Sequence, residues 1–247
     1  MNTIPVFYTE KQMDEIQKFI SDNLGGDEGC IAHETESEYV HTDVNIAKGG
    51  CVTYCTFGMG ARIQNSPLSD MKRIEIFMTA RDLEVMSEGS MIISSELCSV
   101  SKLPFRENTW LGEGHTVDVS RRFKERFGYH ALLFCATQLT AELSGLGTVK
   151  LLMAIPIYEE EYNWVVANNS LEYIKQFFSH FGYDSLYVDD KRDLFIPDCE
   201  AVESETAELS PELLERFDSF VLQLAREEKE LTYDAIGRWL EENLGSN

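Results

Sequence analysis

Two apolar runs, residues 129–136 and 148–157, constrain the fold of this chain more than any other feature. Leu132-Leu133-Phe134-Cys135 in the first and Leu151-Leu152-Met153-Ala154-Ile155 in the second leave no polar face to turn toward water. A strand of that kind is buried on both sides, so these two are expected to be central strands of a covered sheet. Gly145 and Gly147 mark the turn region between the two strands.

The flanking sequence supplies the covering layers. Thr9 and Gln12 form a capping-box pattern that opens a helix with Met13, Ile16, Phe19 and Ile20 along one stripe, and Gly25-Gly26 end it. The acidic stretch 27–38 reads as loop. A hairpin is predicted from 38–47 and 51–58 about a Lys48-Gly49-Gly50 turn, and 73–79 alternates as a strand should. Residues 62–70, with Pro67, read as loop, and 91–103 form an apolar stretch of helical length. Glu159, Glu160 and Glu161 after Pro156 suit the first turn of a helix, where negative charge complements the dipole. Asn169 and Glu172 cap another helix, with Leu171, Ile174, Phe177, Phe178 and Phe181 as its apolar stripe. Residues 186–188 and 193–196 are predicted to pair as a short final hairpin around Lys191-Arg192.

Composition shifts at Pro197. Residues 198–208 are acidic and nearly free of large apolar side chains, as in a linker. Ser210-Pro211 then starts an amphipathic helix carrying Leu213, Leu214, Phe217, Phe220, Val221 and Leu224. A second helix from about Thr232 carries Tyr233, Ile236, Leu240 and Leu244. The predicted class is α+β: a mixed, mostly antiparallel central sheet flanked by helices, with a C-terminal helical hairpin. The predicted division is 1–196 for the main domain and 197–247 for the acidic linker and hairpin. That hairpin must bury its apolar face on the main domain, in a homodimer or on a partner.

The formal charge of −22 is unevenly spread. Residues 1–45 hold ten acids against Lys11 and Lys18, and residues 198–247 hold fourteen acids against four bases. Phosphates would meet a like-signed field, so nucleic acid is disfavoured as a partner. A basic protein is favoured, since opposite fields accelerate encounter, although acidity also serves solubility. No apolar run reaches the roughly 18 residues of a membrane span. The first residues lack the basic and apolar regions of a secretory signal. Six scattered cysteines fit free thiols in a reducing compartment, and a cytoplasmic location is expected.

Motifs for chemistry are scarce. There is no GxxxxGK[ST], no GxSxG and no HExxH, and Gly58-Met59-Gly60 lacks the third glycine of a dinucleotide loop. Cys51 and Cys55 share one strand face about 13 Å apart, which suits packing rather than metal binding. The segment Thr109-Trp110-Leu111-Gly112-Glu113-Gly114-His115-Thr116 is a shaped connection that fits either a site or an anchored turn. His41 and Asp43 point to one side of a strand, and Glu113 and His115 would be needed to complete a metal or acid–base site. The competing reading gives all four structural hydrogen bonds, with His115 bonded to backbone. Neither a cofactor nor a metal is expected.

Several blocks, taken in order, resemble the suppressor of fused domain family. They are Tyr54-Cys55-Thr56-Phe57-Gly58-Met59, then Arg73-Ile74-Glu75-Ile76-Phe77-Met78, then Asn108 through the glycine loop to Thr116. The strand 149–157 with Tyr158-Glu159-Glu160-Glu161 follows, and Tyr187-Val188-Asp189-Asp190-Lys191-Arg192 closes the set. The resemblance covers about residues 30–196. It implies a mixed α/β domain that works by binding protein. Animal members are two-lobed and clamp a short peptide of a Hedgehog-pathway transcription factor; here an acidic helical hairpin stands where the second lobe would be. Shorter members are similar to bacterial proteins proposed as immunity proteins against secreted toxins. The expectation is a non-catalytic protein-binding module of that kind, directed at a basic toxin domain. Asp27, Glu28, Glu34, Glu36, Glu38, Trp110, Glu113, His115, Asp189 and Asp190 are its candidate surface. The alternatives are an enzyme built on His41, Asp43, Glu113 and His115, and an oligomerising scaffold.

Overall fold

The computed structural model describes residues 6–25, 30–32, 40, 42–48, 51–81, 83–85, 87–181, 187–188 and 192–197. The chain divides into two compact units, one of Met1–Asn65 with Arg73–Pro197, the other of Ser66–Lys72 with Asp198–Asn247. In the second, the described residues form a 3-10 turn, Ser69–Met71, with the Leu68 amide donating to Ser66 Oγ. The expected linker and helical hairpin lie outside the described residues, as do the Gly49-Gly50 turn, His41 and the acids at 27, 28, 34, 36, 38, 189 and 190.

The first unit is an eight-stranded mixed sheet covered by helices. In chain order its strands are β1 (Cys30–Ala32), β2 (Asp43–Lys48), β3 (Val52–Phe57), β4 (Ile74–Ala80), β5 (Thr116–Asp118), β6 (Ala131–Leu143), β7 (Gly147–Ile157) and β8 (Tyr187–Val188). The sheet order is β1-β2-β3-β4-β7-β6-β5, with β8 also paired to β4. Among the described ladders β4–β7 and β4–β8 are parallel and the others antiparallel, and an isolated bridge, Val6↔Val40, is parallel as well. The two apolar runs therefore form neighbouring inner strands, paired from Ala131↔Ile157 to Leu143↔Gly147 with one register shift. β7 keeps to β4 as far as Phe77↔Met153, and β8 then takes up the same side of β4 at Thr79 and Ala80.

Strand alternation assigns the helices to faces. Odd-numbered Cys55, Phe57, Phe77, Val149 and Leu151 pack with Ile16 and Ile20 of α1 (Glu10–Leu24). Farther along the same face, Leu133, Ile155 and Ile157 pack against Val165 of α4 (Glu159–Ala167) and Tyr173, Ile174 and Phe177 of α5 (Ser170–Phe181). Even-numbered Tyr54, Ile76, Met78 and Leu152 are equally buried on the opposite face. There α2 (Glu88–Arg106) lies over β2, β3 and β4, and α3 (Arg121–Phe127) packs on α2.

Most sequence expectations hold here, and four are corrected. The Thr9–Gln12 capping box is formed, and Asn169 Oδ1 accepts from the Leu171 amide at 2.9 Å. Residues within the acidic stretch 27–38 form β1 rather than loop throughout. β6 runs seven residues beyond 136, after a bulge between Ala136 and Thr140. Its far half alternates, with Ala141 and Leu143 buried and Thr140 and Glu142 exposed, so it lacks the continuous apolar signal. The predicted final hairpin does not form, because residues 193–196 are not a strand and β8 joins β4 instead. Leu171, placed on the α5 stripe, is half exposed, while Tyr173 is fully buried.

Candidate functional site

The glycine loop is built as an anchor. The Gln64 side chain pairs with Leu111 in both directions, Nε2 donating to the Leu111 carbonyl and Oε1 accepting from its amide, each at 2.9 Å. A Cβ on Gly112 would stand 2.2 Å from the Trp110 ring, so only glycine lets that indole fold back over the backbone. Gly114, at φ +78°, turns the chain so that its amide donates to the Phe134 carbonyl at 2.8 Å, and the Phe134 amide donates to the His115 carbonyl at 2.9 Å. The loop thereby extends the pairing of β5 along the edge of β6. Glu113 continues it by accepting from the Ala136 amide. Burial raises the Glu113 pKa, opposed by that bond and by Lys150. His115 is held below its ordinary pKa by burial, against a hydrogen bond to the Trp110 backbone. Its ring meets Trp110 at 4.4 Å between centroids. The polar groups of Glu113 and His115 thus bond to neighbouring backbone.

Two fully buried carboxylates join the family-like blocks to one another. Glu161, at 0% exposure, receives both arms of Arg192: Nη1 donates to Oε1 at 2.8 Å and Nη2 to Oε2 at 2.6 Å. The amides of Phe195 and Tyr158 donate to the same carboxylate, each at 2.8 Å. The guanidinium lies among the rings of Tyr129, Tyr158, Phe177 and Phe181, 4.9 to 5.7 Å from their centroids. Of the three glutamates read as a charged first turn, Glu161 is therefore a buried anchor.

Glu75, also at 0% exposure, is held differently. Tyr8 Oη and Thr56 Oγ1 each donate to it at 2.6 Å, and the amides of Gly58 and Gly60 donate at 3.0 and 2.9 Å. The Gly58-Met59-Gly60 loop is thus a nest for an anion, and the anion is the protein's own side chain. Burial raises the Glu75 pKa, while its four hydrogen bonds act the other way. A lone acid inside the apolar run Ile74-Glu75-Ile76-Phe77-Met78 was the available sequence signal for such a group. A third buried acid, Glu96, accepts from the Ser120 amide at 2.9 Å and from its hydroxyl, fixing α3 to α2.

The enzyme constellation does not assemble among the described residues. Asp43 is buried on β2, whereas Glu113 and His115 lie beside β6 in the row of β5, five strand steps away or about 24 Å. No group of three metal-ligating side chains occurs among the described residues. Cys51, Cys55, Cys98 and Cys135 are free thiols, and burial together with Glu113 pushes Cys135 up to about 12.

Among the described residues, a cleft of about 490 Å³ opens on the α1/α5 face of the sheet. Its floor includes Thr53, Phe77, Cys135 and Met153 from four adjacent strands, and Leu24 of α1 and Phe178 of α5 line it as well. Packing explains its position. α1 covers the far ends of β6 and β7, α5 covers their near ends, and the near ends of β3 and β4 lie between. Sequence reasoning missed it, because a gap between two helices has no local signature.

The model of the family described as Suppressor of fused protein (SUFU) matches residues 38–193. Among solved structures, a chain of the Sufu-Fu complex shares the fold with a TM-score of 0.56 at 13% identity, over 85% of this chain and 97% of that one. Drosophila Suppressor of Fused matches with a TM-score of 0.53 at 12% identity, over 87% of this chain and 55% of that one. No curated protein sequence matches. At these identities the structures speak for the fold alone. The family model spans well over half of the 247 residues and contains the blocks joined by Glu75 and Glu161, and on that ground the chain belongs to the suppressor of fused family.

Proposed function

We propose that this chain is a non-catalytic protein-binding module, and more narrowly a cytoplasmic immunity protein that neutralises a basic toxin domain. The observation that carries the narrower reading is the charge of −22 on a member of this family. An acidic surface docks where a basic toxin would otherwise hold its nucleic-acid substrate. The broader reading is supported by a relative of the same fold that was crystallised in a Sufu-Fu complex. It is also supported by the separation of Asp43 from Glu113 and His115, which the catalytic alternative would need together. Asp27, Glu28, Glu34, Glu36 and Glu38, with Asp189 and Asp190, are proposed as the recruiting acids, and residues 197–247 as an appended unit. No helix among the described residues is long and apolar enough to cross a membrane.

The test is capture from the native host at about 50 mM and about 500 mM salt, read by mass spectrometry, since exposed charge pairs weaken as the screening length shrinks. A basic toxin domain should be recovered at low salt, lost at high salt, and toxic to a strain lacking this gene. A deletion strain indifferent to that toxin would overturn the immunity reading.

A further inference from the structure

We propose that the cleft beside α5 is an anchor pocket for a large apolar side chain that lies next to a basic residue in the partner's contact segment. The inference rests on the protein-binding reading and names the chemistry the surface selects.

The size and lining supply the apolar half. About 490 Å³ falls within the range of small-ligand pockets and admits one aromatic or long aliphatic side chain. Phe77, Met153, Phe178 and Leu24 offer apolar contact beside Thr53 and Thr79. Four laddered strands carry the floor, so the pocket is formed before the partner arrives and little ordering entropy opposes binding. Interface energy concentrates in such filled, desolvated pockets.

The end of α1 supplies the charge. Asn23 and Leu24, its last two residues, line the cleft, so the carbonyl end of a fifteen-residue helix lies beside it. No basic residue stands in that last turn to offset the partial negative charge. Asp22 stands in the same turn, bonded to Lys18 one turn back. Among the described residues lining the cleft there is no lysine, arginine or histidine. An apolar group carrying a cation is stabilised there, and one carrying an anion is repelled.

Three probes with one apolar body separate the two halves: 4-phenylbutylamine, 4-phenylbutanol and 4-phenylbutyrate, titrated into the full chain while the Met153 methyl resonance is followed. The amine should shift that resonance at roughly two- to fivefold lower concentration than the carboxylate, with the alcohol between, as a helix-terminus charge effect allows. Thr53→Trp should fill the cleft and abolish the shift. Asn23→Lys, at an exposed position, should reverse the order of amine and carboxylate without disturbing the core. Equal binding of amine and carboxylate, a shift that survives in folded T53W, or silence of Met153 with all three probes would overturn the proposal. Failure here with toxin capture intact removes the pocket and leaves the immunity reading. Loss of capture with probe selectivity intact does the opposite.

Discussion

Glu161 and Glu75 are both sealed from solvent, yet one meets a guanidinium and the other meets neutral donors: a phenol, a hydroxyl and two glycine amides. The first solution is strong and unforgiving, because removing either partner strands a charge in the core. The second spreads the cost over four neutral donors, and burial raises the pKa of the carboxyl they hold. Each acid joins chain segments far apart in sequence: residues 158–161 to 192–195 around Glu161, and the N-terminal segment to the 56–60 loop around Glu75. The difference teaches that this fold fixes its C-terminal strap by ion pairing and its N-terminal segment by a titratable contact.

The largest effect should come from Arg192→Ala, which leaves Glu161 buried and unpaired at a cost of about 3–5 kcal/mol in denaturant unfolding. Replacing both partners together, Glu161→Leu with Arg192→Met, should recover most of that loss; a double variant as weak as the single one would break the account of the pair. Glu75→Ala comes next, at about 2–4 kcal/mol, since it strips the acceptor from four buried donors. Glu75→Gln sharpens the contrast, because an amide oxygen still accepts from Gly58 and Gly60 while its nitrogen can donate to Thr56.

The pH dependence of that variant is a further check. Folding raises the Glu75 pKa, so between its ordinary and folded values the native state binds more protons than the unfolded one. Wild type should therefore gain stability relative to E75Q as pH falls from 7 toward the ordinary glutamate value of about 4.3. A constant gap across that range would show that the nest holds no titrating group. His115→Ala is the smallest, about 1 kcal/mol for one hydrogen bond to the Trp110 backbone. The His115 pKa is depressed, so its contribution should shrink as pH falls through the ordinary histidine value, opposite in sign to Glu75.

What could be read before folding was whatever is written locally. The double-faced burial of β6 and β7, the caps at Thr9 and Asn169 and the stripe from Ile174 to Phe178 all lie within a few turns or strand residues. Glu161 was illegible for the opposite reason: three consecutive glutamates look alike until Arg192, thirty-one residues on, selects one of them. β8 was paired with the wrong neighbour because its true partner, β4, lies more than a hundred residues earlier. The glycine loop was recognised as shaped, but its job of covering the β6 edge depends on where β6 ends up. The cleft depends on two helix placements at once, and no single stretch of sequence records it.

The pairing of β8 with β4 also carries a consequence for how this protein comes into being. The sheet's central seam joins β4 to β7 and β8, so β4 must wait with that side exposed while about seventy residues emerge before β7 and about a hundred before β8. A ribosome stalled before Tyr187 would hold a nascent chain with that seam unfinished, a natural substrate for chaperones and a place where slow translation would be felt.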